Sequence, residues 1–362
     1  MDHPKNMTCA FFLAANSKDG FVSFFDSAMT EMPGRDTYLV KSGPGCGKAT
    51  AIGRLAGGLY AGGLREDIYC SSDPHSLDGV ILHGPDAAIL DGTAPHITEP
   101  ALPGAEGDYI ALSAFRDVPG LRQARPALRL LNAGIKDCYA RAYSLLTAVN
   151  SIESLIAGEA AQALPPERLE KRARGVAGRE IPKKGGVGRL CLRLIDGVTP
   201  EGYLRLYDSL TGHGERVYDI CSDCGLTPRF LEPLRDAALA AGHTVYACLD
   251  PIDPGRLLHL WLPELSLAFV TSDRRGRWAG PVYRRIRLDS CLDSAGTRES
   301  RRRARRLSAQ AQSLLDEAVS CIARAHALHD RMEAIYHPHI DFAAVTAQTD
   351  AALARIRAAL QA

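Results

Sequence analysis

Residues 38–50 join an apolar strand to a glycine-rich loop and the start of a helix, in the order Tyr38-Leu39-Val40-Lys41-Ser42-Gly43-Pro44-Gly45-Cys46-Gly47-Lys48-Ala49-Thr50. This order is typical of a phosphate-binding loop, in which backbone N–H groups close around phosphate oxygens and a lysine adds positive charge. The pattern G-x-x-x-x-G-K-[ST] fits at Gly47-Lys48, but Ser42 stands at the first glycine position and Ala49 at the hydroxyl position. The stretch therefore predicts a nucleotide site that lacks one of its usual side chains.

Length and composition limit the class of protein. A chain of 362 residues allows two domains, and 46% hydrophobic with 23% charged residues is ordinary for a globular protein. The net charge of +1 gives no reason to expect nucleic acid or a membrane surface as a partner. The ten cysteines are scattered and no secretory signal is recognised, so we expect free thiols in the cytoplasm.

Apolar runs separated by turns predict alternating strands and helices in the first half. Residues 9–15 are predicted as a strand and residues 21–29 as a short amphipathic helix after the turn at Asp19-Gly20. Further strands are predicted at 67–70, 77–82 and 87–91. A long helical pattern then runs from about 127 to 158. This alternation indicates an α/β fold with a parallel sheet covered by helices.

The same pattern returns about 180 residues later. Residues 19–27 correspond to 201–209, residues 88–90 to 268–270, and the helical stretch around Leu131 to that around Leu307. A repeat in the same order at three places predicts two tandem copies of one domain, each a parallel sheet followed by a helical hairpin. We expect a first domain at 1–181 with its hairpin at about 113–175, a linker at 182–188, and a second domain at 189–362.

The second copy carries a shorter loop at the equivalent place. Gly225 aligns with Gly47, Leu226 with Lys48 and Thr271 with Asp91. Leucine cannot compensate phosphate charge, and the nearby Asp219 and Asp223 would repel it. The second copy is therefore predicted to be a degenerate phosphate-binding domain.

Four pieces of the chain resemble a family of tandem-repeat bacterial P-loop ATPase-like proteins, whose members are described as predicted ATPases. They are residues 20–27, 43–48, 70–80 and, most specifically, 89–96. The resemblance covers most of the chain, including the duplication and both hairpins. It implies two P-loop domains and a nucleotide ligand.

Lys48 and Asp91 are the predicted catalytic residues. In a P-loop the lysine ammonium reaches the terminal phosphates, and a carboxylate at the end of a buried strand, as in a Walker B motif, holds Mg²⁺. The predicted nucleotide-binding residues are Gly43, Pro44, Gly45, Cys46, Gly47, Lys48, Ala49 and Thr50. The expected cofactors are ATP, or another nucleoside triphosphate, and Mg²⁺.

Ala49 removes the hydroxyl that normally contacts Mg²⁺. Thr50 is the adjacent substitute, but one residue along a helix turns the side chain by about 100°. Nucleotide binding is expected to survive on the loop and Lys48, with hydrolysis weakened. The alternative is that water replaces the hydroxyl and activity persists.

Other polar groups offer secondary roles. His96, Ser72 and Asp73 follow predicted strands, where side chains line the ligand crevice of an open sheet, or they simply satisfy loop backbone. Cys221 and Cys224 form a C-x-x-C without a second pair, which is a weak zinc signal. A second metal alternative is the set His337, His339 and Asp341, although an exposed turn explains it as well. The arginine-rich runs at 168–179 and 301–306 could touch phosphate, but basic helix faces are usually solvated.

The sequence thus favours an ATPase-like nucleotide-binding protein. Two rivals stay open: a small-molecule phosphotransferase with the hairpins as lids, and a catalytically inactive scaffold, motivated by Ala49 and the second loop. No membrane or nucleic-acid partner is indicated, and oligomers are compatible with the sequence.

Overall fold

The structure is a computed structural model that describes residues 6–361 except 166, 214 and 293, with residues 294–301 described by their backbone alone. The chain forms two compact units, and each draws on both halves of the sequence. The first unit contains residues up to Ala14, Phe25–Arg141 and Ser320 onward, and the second contains Ala15–Phe24 and Ala142–Val319.

The first half of the chain begins with a β-rich region and ends in helices. Its strands are β1 (Met7–Phe12), β2 (Ala14–Ser17), β3 (Gly20–Ser23), β4 (Asp36–Lys41), β5 (Leu64–Cys70), β6 (Asp73–Leu82), β7 (Ala87–Asp91) and β8 (Gly107–Ala111). Its helices are α1 (Phe25–Thr30), α2 (Lys48–Leu59), α3 (Val118–Gln123), α4 (Arg125–Gln162) and α5 (Arg168–Glu180). Within the described part of residues 182–188 there is no strand or helix.

The second half repeats this order. Its strands are β9 (Arg189–Arg193), β10 (Asp196–Thr199), β11 (Gly202–Arg205), β12 (Arg216–Cys221), β13 (Thr244–Leu249), β14 (Leu257–Leu262), β15 (Leu267–Ser272) and β16 (Arg284–Arg287). Its helices are α6 (Asp208–Thr211), α7 (Thr227–Ala240), α8 (Ser294–Tyr336) and α9 (Phe342–Ala359).

Both sheets are mixed, which corrects the prediction of parallel sheets. The first has the order β1-β5-β6-β7-β4-β8, and β6 runs antiparallel to both of its neighbours, whereas the other pairings are parallel. The cause is connection length. Residues 71–72 and 83–86 are too few for a helical crossover, so the chain can only reverse its direction there.

The second sheet has the equivalent order, β9-β13-β14-β15-β12-β16, with the same directions. Even the register agrees, because Val40 pairs with Asp91 in the first sheet and Ile220 with Thr271 in the second. The prediction of two similar α/β halves is therefore confirmed.

Several predicted segments need new boundaries. The helix predicted over 21–29 is in fact strand β3 followed by the shorter helix α1, because Gly20 at a φ of 94° turns β2 back onto β3 as a hairpin. The equivalent hairpin β10–β11 lies in the same unit, where Asn16 Nδ2 donates to the carbonyl oxygen of Val198 at 3.1 Å. The strand predicted at 87–91 is confirmed as β7.

The core of the first unit holds α2 against the sheet. Helix α2 buries Ile52, Leu55 and Ala56 against strand residues such as Val40 and Ile89. Helix α9 adds Val345, Ala352 and Ile356 to the same cluster. This packing fixes the start of α2 at the edge of β4. Among the described residues no helix is both long and apolar enough to cross a membrane.

Candidate active site at the start of helix α2

The loop between β4 and α2 is placed at the carboxyl edge of the first sheet. Strands β4 and β7 are parallel neighbours, so Lys41 and Asp91 end at the same edge. Gly45 and Gly47 have φ values of 65° and 74°, a left-handed conformation that side chains rarely adopt. They turn the chain into α2, whose first residue is Lys48. The N–H groups at the start of this helix are natural partners of an anion.

Lys48 and Asp91, the two residues predicted to be catalytic, lie close together. The Lys48 ammonium donates to the carbonyl oxygen of Gly43 at 3.2 Å and lies 3.8 Å from Asp91 Oδ2. Asp91 is buried, and this burial raises the pKa of its carboxyl above the usual value, although the Lys48 charge opposes the shift. The pair thus places a cation beside a buried carboxylate, whose charged form is stabilised by a positive partner.

Thr93 links the loop after β7 to the loop between β4 and α2. Its N–H donates to Asp91 Oδ1 at 2.8 Å, and its hydroxyl accepts from the N–H of Ser42 at 3.1 Å. The Asp91 carboxylate and the loop are therefore held in one arrangement by local hydrogen bonds. Thr93 was not among the predicted site residues, although it lies within residues 89–96, the most specific piece of the family resemblance.

Glu333 of α8 contacts the loop directly. Gly45 N–H donates to Glu333 Oε1 at 2.8 Å. The pKa of Glu333 is lowered by its hydrogen bond from His329, with a further contribution from the Gly45 N–H. A carboxylate thus already uses an N–H group of the loop. Nothing local in the sequence indicated Glu333, because it follows Gly45 by 288 residues.

Further side chains crowd the same loop. A Cβ atom added to Gly45 would lie 3.0 Å from the His337 ring, and one added to Gly43 would lie 3.0 Å from Arg116 Nη1. Because glycine has no Cβ atom, the His337 and Arg116 side chains can lie close to the backbone at these positions. Arg116 places a second cation beside Gly43, in addition to Lys48.

The remaining residues of the loop and of the first turn of α2 differ in burial and in hydrogen bonding. Cys46 is buried, and its thiol donates weakly to the Pro44 carbonyl at 3.5 Å. Ala49 lies half-buried in the first turn of α2, and Thr50 is exposed. The Ser42 hydroxyl is buried without a hydrogen-bond partner among the described residues.

His96 is placed beside a carboxylate other than Asp91. Its Nε2 lies 3.1 Å from Asp78 Oδ2, and both residues are buried. The Asp78 charge contributes to the raised pKa of Asp91, so the three groups belong to one electrostatic cluster. Ser72 accepts a hydrogen bond from the Tyr139 hydroxyl at 2.8 Å, whereas Asp73 caps the N–H of His75 at 3.2 Å.

The equivalent loop in the second half contains an internal carboxylate. The hydroxyl of Ser222 and the N–H of Asp223 donate to Asp289 at 2.7 and 2.8 Å. Gly225 has a φ of 71°, close to that of Gly47, but Leu226 in the lysine position is buried. This loop presents no ammonium group to a phosphate.

The other predicted metal alternatives are not assembled. Cys224 is buried and Cys221 half-buried, and both thiols are free. His339 Nδ1 lies 3.1 Å from Asp117 Oδ2, and Asp341 caps α9 by accepting from the N–H of Ala344. Within the described part of the chain, no group of three or more His, Cys, Asp or Glu side chains is placed to hold a metal ion.

The donor set beside Lys48 nevertheless fits Mg²⁺ bound together with a nucleotide. Such sites use one or two carboxylates and complete the shell with phosphate oxygens and water. Asp91, with the Asp78 charge nearby, would supply the carboxylate, and a bound Mg²⁺ would neutralise phosphate charge there. The usual hydroxyl ligand is missing at Ala49, and the Thr50 hydroxyl is on an exposed residue.

Comparisons of the chain with protein-family models, with curated proteins and with solved structures gave no match.

Proposed function

We propose that the chain is an ATPase-like protein that binds ATP, or another nucleoside triphosphate, with Mg²⁺ at the loop before α2. The observation that carries the proposal is the position of Lys48, within 3.2 Å of Gly43 O and 3.8 Å of Asp91 Oδ2 at the first turn of α2. The contact from Gly45 N–H to the Glu333 carboxylate supports it, because an N–H that binds one oxyanion can bind another.

In this proposal each group has a defined task. Lys48 and the N–H groups of residues 43–48 neutralise and orient the phosphates. Asp91 holds the metal, and Thr93 holds Asp91 in place. Hydrolysis is slow because Ala49 lacks a hydroxyl and because Glu333 occupies an N–H of the loop.

The test is nucleotide binding and phosphate release by the pure chain, with and without Mg²⁺, for the unchanged protein and Lys48→Ala. Lys136→Ala is the control, because Lys136 is an exposed lysine on α4. We expect Lys48→Ala to weaken binding by at least about tenfold, as loss of a charge-assisted phosphate contact would. Absence of nucleotide binding by the unchanged chain would refute the proposal.

The Glu333 contact also favours a second candidate, a scaffold that binds nucleotide without turnover. The Glu333 carboxylate already accepts a hydrogen bond from the Gly45 N–H, so this N–H group is satisfied without a bound phosphate. Phosphate release that disappears in Lys48→Ala would rule this candidate out. Tight binding with no release in either protein would favour it over slow hydrolysis.

A further inference from the structure

A pocket lies in the second unit, at the carboxyl edge of β12 and β16. Its volume is about 390 Å³, which is within the range of about 300–1,000 Å³ for small-molecule sites. The lining includes loop 221–224, Trp278 and the arginines Arg274, Arg277, Arg285, Arg287 and Arg305.

Charge is distributed unevenly in this pocket. Two of its arginines are paired, Arg277 with Asp223 at 2.9 Å and Arg285 with Asp219 at 2.6 Å. The third lining aspartate, Asp289, accepts from the N–H of Asp223. The paired carboxylate of Asp219 is 2% exposed, whereas the Arg285 side chain is 47% exposed. Guanidinium groups therefore lie toward solvent and Asp219 lies beneath them.

Three lining arginines carry charge that the described side chains do not balance. Arg274, Arg287 and Arg305 have no carboxylate within ion-pair distance among the side chains that the structure describes, and Arg274 Nη1 donates to the Ala304 carbonyl at 2.6 Å. Burial raises the pKa of Cys221 to about 11 and that of Cys224 to about 12, so these thiols add no negative charge at neutral pH.

A neighbouring cavity in the same unit shows the contrast. It measures about 90 Å³ and contains Arg256 and Arg275. Arg256 lies 3.1 Å from Glu153, and Arg275 lies 3.1 Å from Asp250. In that cavity internal carboxylates neutralise these two arginines, and the unpaired Arg274 lines both this cavity and the larger pocket.

The two halves differ in which of two neighbouring strands ends in a cationic residue. Strand β16 pairs Arg287 with Cys221, and the equivalent pair in the first sheet is Ala111 with Lys41. The second half thus places an arginine at the strand end where the first half has an alanine. This substitution builds a cationic pocket beside a loop that has lost its lysine.

From these observations we propose that the pocket at β12 and β16 binds a small phosphate ester, with Arg287 and Arg305 as its phosphate ligands. Arginine presents a planar fork that matches phosphate oxygens in a bidentate manner. An RNA strand fits less well, because a pocket of about 390 Å³ has room for a small phosphate ester rather than for an extended backbone. The pocket does not involve the Lys48 site.

Calorimetric titration of the full chain with ribose 5-phosphate tests this proposal, with inorganic phosphate and a short single-stranded RNA as further probes. We expect ribose 5-phosphate to bind the unchanged chain and Lys48→Ala equally. The double variant Arg287→Ala/Arg305→Ala should weaken binding by at least about tenfold, since both forks are lost. Arg287→Lys/Arg305→Lys should retain an intermediate affinity, because charge remains without the fork.

The matched control is Arg229→Ala/Arg306→Ala, which removes the same charge from two exposed arginines of the same unit that do not line the pocket. An equal loss in this control would overturn the proposal as a nonspecific charge effect. Loss of binding in Lys48→Ala would assign the phosphate to the other site, and also overturn it. No binding of the ester, or binding of the RNA alone, would overturn it as well. Circular dichroism confirms that each variant is folded.

Discussion

The carboxyl group of Asp91 is buried at the end of β7, and burial raises its pKa despite the nearby Lys48. Because the folded-state pKa exceeds the unfolded one, the stability that this group contributes is full below the unfolded pKa, near 4, and is lost as pH rises through the folded pKa. We therefore expect Asp91→Asn to raise the free energy of unfolding at pH 7 by about 0.5–1 kcal/mol. The Asn oxygen can still accept from Thr93.

Urea unfolding of both proteins at pH 4 and pH 7 measures this effect. The advantage of Asp91→Asn should shrink toward pH 4, where the native carboxyl is increasingly protonated. Under the proposed function the same variant should lose Mg²⁺-dependent turnover. A variant that is less stable than the unchanged chain at pH 7 would show that the Lys48 pair outweighs the burial of the charge.

Ala49 leads to a second prediction at the same scale. If the missing hydroxyl limits hydrolysis, Ala49→Ser should raise Mg²⁺-dependent phosphate release by about tenfold, which corresponds to about 1.4 kcal/mol of barrier. Thr50→Ala is the companion variant, and we expect no change because Thr50 is exposed. The reverse pattern, a loss in Thr50→Ala and no gain in Ala49→Ser, would assign the metal contact to Thr50.

Strand β8 depends on one glycine. Gly107 has a φ of 99°, and a Cβ atom there would overlap the Thr37 carbonyl oxygen of β4. Backbone cannot yield as a flexible side chain can, so Gly107→Ala should cost about 2–4 kcal/mol of unfolding free energy. The control is Gly104→Ala, with a φ of 83° and no atom within 4 Å of the added methyl group. It should cost only about 1 kcal/mol of backbone strain. Equal losses in thermal or urea unfolding would mean that the β4–β8 contact is unimportant.

At this scale the sequence predicted buried elements better than turns. Strand β7 was predicted with its correct boundaries, because its five residues are all buried and its apolar run is unbroken up to Asp91. The β2–β3 hairpin was not predicted, because Phe21, Phe25 and Met29 also fit helical spacing. Strand β6 was predicted at 77–82, but its reversed direction was not, although a turn signal, Gly84-Pro85-Asp86, precedes β7.

In the candidate site, too, some residues could be predicted from the sequence and others could not. The positions of Lys48 and Asp91 could be predicted, since local patterns place Lys48 at the start of a helix after a glycine-rich loop and Asp91 at the end of a buried strand. Glu333 could not, because its contact with Gly45 arises from tertiary packing across 288 residues. Local patterns report which backbone a segment adopts, whereas a contact of this range depends on how separate elements pack.

The whole molecule repeats one arrangement with two different outcomes. Both sheets have the same strand order, and each loop at the carboxyl edge donates a backbone N–H to a carboxylate of the second half of the sequence. In the first loop the acceptor is Glu333, on the surface of a long helix. In the second loop the acceptor is Asp289, which also accepts a hydrogen bond from the Ser222 hydroxyl.

This difference predicts opposite consequences for the two carboxylates. Under the proposed function Glu333 would compete with phosphate for the Gly45 N–H, so Glu333→Gln should tighten nucleotide binding, by about tenfold if the competition costs about 1.4 kcal/mol. Asp289 instead satisfies two internal donors, so Asp289→Asn should leave nucleotide affinity unchanged and lower the unfolding free energy by about 1–3 kcal/mol. Titration calorimetry and urea unfolding measure the two effects.

Asp330→Asn is the control for Glu333→Gln, because Asp330 is a 59% exposed carboxylate on the same helix. Weaker binding in Glu333→Gln would mean that Glu333 supports the loop in its binding conformation rather than competing with phosphate.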